Sequence, residues 1–302
     1  MSNDNIRVGS RKSKLALLQA EIVANELKKH GHKSIVVPIR TEGDINLQQP
    51  IYSMGIQGVF TKALDTALLN KNIDIAVHSL KDVPTTLPSG IVINSVIKRS
   101  NPFDALISNT KANTKSTIGT GSLRRKAQWM IRFPEDNIKN IRGNIHLRIE
   151  KLLSSTWKGI ILAKAAIERL KLKLEFETLD WMIPAPSQGI IGIACLETDL
   201  NLRKTLSLIN CKQTHFCSII EREFLKTLQG GCTAPIGAYS KVEGNKVLFK
   251  AGLFSLDGKK SLIKEKSFFI DDDPKFIGRS VAIDILNDGG ERIIDEIKKN
   301  FS

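Results

Sequence analysis

Two kinds of apolar spacing alternate along this chain: short β-branched runs, and stretches in which apolar residues return with the helical period. Ile6 to Gly9 reads as a first strand. Behind Ser10-Arg11-Lys12-Ser13, the residues Leu15, Leu18, Ile22, Val23 and Leu27 recur at helical spacing, and Gly31 closes that helix. Ser34 to Ile39 predicts a second strand, Phe60 to Leu69 a helix, Ile73 to Val77 a buried strand, and Ile91 to Ile97 another. Thr41 to Gly58 contains Gly43, Pro50, Gly55 and Gly58 with little periodicity, which predicts a mobile loop of the kind that often forms a lid or binding segment. Strand and helix in alternation predict a mainly parallel sheet.

After Asn101-Pro102 the pattern restarts, and a second domain is expected from about residue 98. Ala105 to Ile107 reads as a strand, Ser108 to Ser116 as a polar linker, and Ile118-Gly119 as a strand end that turns into a helix beginning with Arg124 and Arg125. Ile138 to Arg142 and Ile160 to Ala163 repeat the arrangement, leading into helices that carry Arg148 and Arg169. Pro184 to Gly189 reads as a hinge, after which the apolar run Ile190 to Ala194 can re-enter the first sheet. The pattern predicts an α/β fold of two lobes like those of periplasmic binding proteins, crossed twice by the chain. From Thr214 a helix runs to Leu228. Strands at Gly237 to Lys241, Lys246 to Phe254 and Leu262 to Ile270 follow, then helices at Pro274 to Leu286 and Glu291 to Lys299, a small α+β domain. The expected boundaries are 1–97 plus 190–210 for the first lobe, 98–189 for the second and 211–302 for the C-terminal domain.

The 302 residues suit two or three domains. No apolar run reaches the roughly 18 residues of a membrane span, and the first residues lack a signal-type apolar core, so a cytoplasmic, soluble protein is expected. Lys plus Arg exceeds Asp plus Glu by 45 to 31, a formal charge of +14. Much of the excess is lysine of the solvated kind, and with 6% aromatic residues and no nucleic-acid-binding motif a nucleic-acid partner is not expected. Several arginines stand apart, among them Arg11 beside Ser10 and Arg142 beside Gly143, where a planar fork can grip a carboxylate or phosphate through two bonds. The four cysteines, Cys195, Cys211, Cys217 and Cys232, form no C-x-x-C pair, and the five histidines form no metal motif, so no metal is expected.

Candidate chemistry gathers where strands end. In open α/β sheets ligands bind beyond the carboxyl ends of strands, and Lys81 and Asp82 follow the Ile73 to Val77 run directly. A helix-capping aspartate is the plainer reading of Asp82. Arg11 and Ser13 flank a helix N-terminus, where capping explains the serine but a cation is unfavourable unless an anion arrives. Gly119-Thr120-Gly121-Ser122-Leu123-Arg124-Arg125 lacks the G-x-x-x-x-G-K-[ST] of a phosphate loop, so its arginines call for carboxylates. Parallel neighbouring strands would bring Arg124, Arg125, Arg148 and Arg169 to one cleft. Cys232 follows Gly230-Gly231 and precedes Pro235, a tight loop ill suited to hiding a structural thiol and better suited to attachment or nucleophilic chemistry.

These motifs resemble those of the hydroxymethylbilane synthase family, the porphobilinogen deaminases, over essentially the whole chain. The markers are Arg11-Lys12-Ser13, His78-Ser79-Leu80-Lys81-Asp82-Val83-Pro84, Gly119 to Arg125, Arg142-Gly143-Asn144, and Gly230-Gly231-Cys232-Thr233-Ala234-Pro235-Ile236-Gly237. The resemblance implies a dipyrromethane cofactor, made from the enzyme's own substrate and joined by thioether to Cys232. On it four porphobilinogen units are condensed in turn, each losing ammonia, to give hydroxymethylbilane for porphyrin and haem biosynthesis. It implies that Asp82 is the catalytic carboxylate. Ser13, Lys81, Asp82, Thr120, Ser122, Arg124 and Arg125 would hold the cofactor, and Arg11, Arg142, Arg148 and Arg169 the acidic side chains of substrate and product. A monomer is also implied. The chain departs from many members at Lys14, where they have proline, and at Gln57, where they have lysine; Gln57 is therefore not counted among the contacts. The competing class is a non-catalytic organic-anion-binding protein on the same two lobes, which would have no need of Cys232.

Overall fold

The computed structural model describes residues 5–41, 61–109, 117–229 and 234–301. Most of the expected loop from Thr41, the polar linker over 110–116, and the turn with Cys232 lie outside them. The described chain divides into two compact units. One holds the residues up to Ser100 and Gly189–Phe216; the other holds Asn101–Gln188 and Cys217 onward. Among the described residues no helix is long and apolar enough to cross a membrane.

In the first unit the chain runs β1 (Ile6–Arg11), α1 (Lys14–Lys29), β2 (Ser34–Ile39), α2 (Lys62–Leu69), β3 (Ile75–Ser79) and β4 (Ile91–Val96). In the second it continues β5 (Asp104–Ser108), β6 (Thr117–Gly119), α3 (Leu123–Arg132), β7 (Asn137–Lys139), α4 (Ile145–Leu153), β8 (Gly159–Ala163), α5 (Lys164–Arg169) and β9 (Glu177–Leu179). It then returns to the first unit as β10 (Ile191–Leu196) and α6 (Leu200–Ser207). β3 begins two residues later than the apolar run predicts, since Asp74 is taken up by Arg7, whose backbone N donates to Oδ2 at 2.7 Å and whose Nη2 lies 2.6 Å from Oδ1.

The first sheet has the order β2-β1-β3-β10-β4. β1 is parallel to β2 and β3, and β10 runs antiparallel between β3 and β4, so the run at Ile190 to Ala194 does re-enter this sheet. Period-two alternation sends Val8, Ile75, Val77, Ile191 and Ile193 to a face covered by Ala20, Val23 and Leu27 of α1 and Leu206 of α6. Ala76 and Ala194 face the other way, onto Leu64, Ala67 and Leu68 of α2. Both faces are thus dry, which is why these strands are continuously apolar.

The second sheet, β7-β6-β8-β5-β9, repeats this plan with β5 as the reversed strand. Ala105, Ile107, Ile160 and Leu162 pack with Leu152 of α4 and Ile167 of α5, and Trp157 joins that face. Leu106, Ile118 and Ile161 pack on the other face with Trp129 of α3 and with Met182, and Trp181 joins there. Complete burial of each of these Leu, Ile and Met side chains contributes about 1.5–3 kcal/mol.

The second unit also contains α7 (Lys212–Thr227, of which Cys217 onward belongs here) and the antiparallel sheet β11 (Ile236–Glu243), β12 (Lys246–Phe254) and β13 (Ser261–Phe269). α8 (Pro274–Ile285) and α9 (Glu291–Phe301) complete it. Phe224 of α7 meets Phe249 of β12 edge-on at 5.6 Å. Gly278 lets α8 approach α7 closely, since a Cβ there would lie 2.3 Å from the Ile220 carbonyl oxygen.

The centre of the second unit is ionic. Asp104, fully buried at the start of β5, lies 2.8 Å from Arg124 Nη1 through Oδ2 and 2.8 Å from Arg125 Nη2 through Oδ1. The Arg124 contact lacks the alignment of a hydrogen bond, whereas Arg125 Nε donates to Oδ1 at 2.9 Å. Burial would raise the Asp104 carboxyl, but the two guanidiniums and the Gln188 amide override it and hold the group well below the usual carboxylate range.

Two stability predictions follow from buried charge. Asp104→Asn leaves two buried guanidiniums without their counter-charge, and a loss of about 3–5 kcal/mol is expected from urea unfolding. A loss below about 1 kcal/mol would contradict this account. His78, buried near the end of β3, is pushed down from 6.5 to about 4, first by burial and then by the Arg11 cation. The unfolded chain therefore takes up a proton that the folded chain refuses, and this contribution to stability is present above pH 6.5 and lost toward pH 4. Within that window the loss is at most about 1.4 kcal/mol per pH unit. His78→Gln should flatten that slope in unfolding titrations, and an unchanged slope would refute the assignment.

Candidate functional site

The first unit carries four of the predicted residues, Arg11, Ser13, Lys81 and Asp82, at or just beyond the carboxyl ends of β1 and β3. β1 and β3 are parallel with Gly9 opposite Ala76, so continuing the register sets Arg11 level with His78, whose titration responds to the Arg11 charge. Ser13 caps α1: its Oγ accepts from Ala16 N at 3.3 Å. Lys14, the departure noted above, is an exposed first residue of that helix. Beyond β3 the chain makes a single tight turn, Leu80–Asp82, in which fully buried Leu80 is the anchor while Lys81 and Asp82 stay partly exposed. Val83 N donates back to Leu80 O at 3.1 Å and closes the turn. Among the described residues the Asp82 carboxylate makes no hydrogen bond or ion pair, so it caps nothing.

One further side chain at this end of the sheet gave no signal in the sequence. Gln19, on the buried face of α1, places Nε2 2.9 Å and Oε1 3.1 Å from Ser79 Oγ. That contact ties the first helix to the strand end that leads into Lys81 and Asp82. A glutamine in a helical pattern reads as surface; only its place on the apolar stripe could have marked it.

In the second unit the three strand-to-helix junctions that carry arginine leave neighbouring parallel strands, in the order β7-β6-β8. After β6, Thr120 N donates to Lys139 O at 2.9 Å, Ser122 N donates to Thr120 Oγ1 at 3.2 Å, and Ser122 caps α3. Both hydroxyls thus shape the turn that launches Arg124 and Arg125. After β7, Asn144 caps α4, and Arg148 Nε donates to Gly143 O at 2.8 Å. Arg142 lies in the connection rather than on a strand and is buried, which lowers its pKa.

Two placements differ from the expectation of arginines converging as open forks. Arg124 and Arg125 are largely buried and turned onto Asp104, with Arg125 Nη1 also donating to Ile161 O at 2.9 Å and Arg124 Nη1 to Ile183 O at 2.7 Å. What remains of Arg124 is a buried Nε with no hydrogen-bond partner among the described residues, a donor left for a carboxylate. Arg169 stands at the last residue of α5, the far end from its strand junction. Burial, partly offset by Glu168, lowers it to about 10, so it remains a cation at neutral pH. Asp104 and Gln188 were not singled out by sequence; a lone aspartate before an apolar run looks like any turn residue.

The donor set of each unit suits a ligand with several carboxylates, as a dipyrromethane with acetate and propionate arms would be. Comparison with known proteins agrees. Residues 6–204 match the family model described as porphobilinogen deaminase, dipyromethane cofactor binding domain, and residues 215–287 match porphobilinogen deaminase, C-terminal domain. A porphobilinogen deaminase of Listeria welshimeri is 39% identical, covering 97% of this chain and 98% of its own. One of Prochlorococcus marinus (strain MIT 9515) is 36% identical, covering 100% and 99%. Among solved structures, the methionine binding protein MetQ covers 71% of this chain and 93% of its own at 12% identity, with a TM-score of 0.45. On the strength of the two family matches and these full-length relatives, the chain belongs to the porphobilinogen deaminase family.

Proposed function

We propose that this chain catalyses the stepwise, deaminative condensation of four porphobilinogen molecules to hydroxymethylbilane, with Asp82 as the catalytic carboxylate and Cys232 as the attachment point of a dipyrromethane. The observation that carries the assignment of roles lies at the carboxyl end of β3, a strand parallel to the β1 that ends at Arg11, where Asp82 follows Lys81 and stands without a protein partner among the described residues. When bound, the dipyrromethane would supply the free pyrrole carbon that takes the first ring, each later ring joining the free end of the growing chain. Asp82 faces the substrate and stabilises the positive charge that develops on its pyrrole nitrogen as ammonia leaves, a preorganised term that is often the largest in catalysis. Lys81 and Ser13 bind cofactor carboxylates at this end of the sheet. In the second unit Thr120, Ser122, Arg125 and the unfilled Nε of Arg124 do the same. Arg11, Arg142, Arg148 and Arg169 grip the acetate and propionate arms of incoming substrate and growing product through paired bonds. The same reading makes the protein a monomer of the cytoplasm with no nucleic-acid or membrane partner, which light scattering and cell fractionation would test.

Two variants and one measurement examine these roles. Asp82→Ala should lower turnover by more than about 100-fold while the melting temperature stays near that of the parent. Equal activity would remove Asp82 from the chemistry. For Cys232→Ser, intact mass should equal the bare chain, whereas the parent should carry two extra pyrrole units on the peptide containing Cys232 and gain one-unit steps with porphobilinogen. A parent mass equal to the bare chain, unmoved by porphobilinogen after attempted reconstitution, would favour a non-catalytic organic-anion-binding protein.

A further inference from the structure

The described chain passes from one unit to the other at Ser100-Asn101 and returns at Gln188-Gly189. Gln188 is 1% exposed, and its side-chain nitrogen makes two hydrogen bonds, to Pro102 O at 2.8 Å and to Asp104 Oδ1 at 3.0 Å. One amide therefore staples the outgoing connection to the carboxylate that holds Arg124 and Arg125. Its backbone is fixed on both sides: Ser187 and Gly189 adopt φ of 63° and 85°, the left-handed region. A serine persists there only where its surroundings hold it. Here Ser187 N donates to the buried Glu221 Oε2 at 2.7 Å, while the Ser187 hydroxyl is buried with no hydrogen-bond partner among the described residues. The amide of Gln188 is thereby aimed.

The load on Asp104 is uneven. Oδ1 accepts from Arg125 Nε at 2.9 Å and from Gln188 Nε2 at 3.0 Å and lies 2.8 Å from Arg125 Nη2, whereas among the described residues Oδ2 has only the Arg124 ion pair. Removing the glutamine donor would let the carboxylate rotate toward an even sharing of the two arginines. Both guanidiniums would follow it, and the free edge of Arg124 would turn with them.

We propose that Gln188 is a positioning residue for cofactor loading, fixing Asp104 and through it the orientation of Arg124 and Arg125. This rests on the assignment of those arginines to the dipyrromethane carboxylates. The test follows loading itself: full-length protein freed of its dipyrromethane is mixed with porphobilinogen, and the two-pyrrole gain is timed by intact mass. Gln188→Met removes the hydrogen bonds to Pro102 and Asp104 at similar volume, and Gln188→Glu sets a competing carboxylate beside the arginines. Each is expected to slow the rate constant of loading more than fivefold, while the fraction finally loaded falls less than twofold. A merely structural residue would lower that fraction and leave the rate constant unchanged. A smaller slowing in both variants overturns the proposal. If methionine prevents folding, Gln188→Asn, which keeps the amide but shortens its reach, is judged by the same criterion. Arg125→Lys run alongside separates the two levels. If it too loads at the parental rate, the arginine assignment has failed; if it alone loads slowly, only the role of Gln188 has.

Discussion

A carboxylate with no solvent exposure, shared by two guanidiniums, is the constraint on which the second unit depends. Burying any one of these charges alone would be prohibitive, and together they are tolerable only because carbonyls of Ile161 and Ile183 and the Gln188 amide take up further donors and acceptors. The arrangement is costly as a stabilising device, since well-packed apolar groups would serve as well. Its value lies in direction. A guanidinium held on one edge by Asp104 presents its other edge in a fixed plane, and planar, fixed donors are what recognition of several carboxylates requires.

The first unit solves a different problem with less charge. On the proposed reading the Asp82 carboxylate is the acting group there, so it must not be neutralised by its own protein. The single turn after β3 achieves this by burying Leu80 beneath Lys81 and Asp82, which leaves the carboxylate without a partner among the described residues. The strand supplies rigidity and the turn supplies reach. The buried, neutral His78 one step back along β3 adds no competing charge at neutral pH.

Much of this was legible because both sheets are covered on both faces, so strands read as unbroken apolar runs and helices as striped ones. The re-entry of Ile190 to Ala194 into the first sheet was visible in an apolar run following a Pro and Gly cluster. β9, at three residues, and α6, whose single buried contact is Leu206, are too short or too exposed to leave a periodic mark. The arginines were found as residue types at strand ends, yet the sequence could not say that Arg124 and Arg125 turn inward. Their partner Asp104 lies twenty residues away from the first of them and across a sheet, and no local pattern encodes that. Gln19 and Gln188 were invisible for the same reason, because an amide declares its role only through what it touches.

The three tryptophans of the chain, Trp129, Trp157 and Trp181, all belong to the second unit. Trp129 and Trp181 lie on the α3 face of its sheet, 5.9 Å apart with Arg132 over the Trp181 ring, and Trp157 lies on the opposite face against Gly119, where β6 hands over to the arginine turn. Tryptophan emission from this protein is therefore a spectroscopic view of one unit only. It registers events around the arginine junctions from both sides of their sheet, while the unit that carries Asp82 contributes no tryptophan signal.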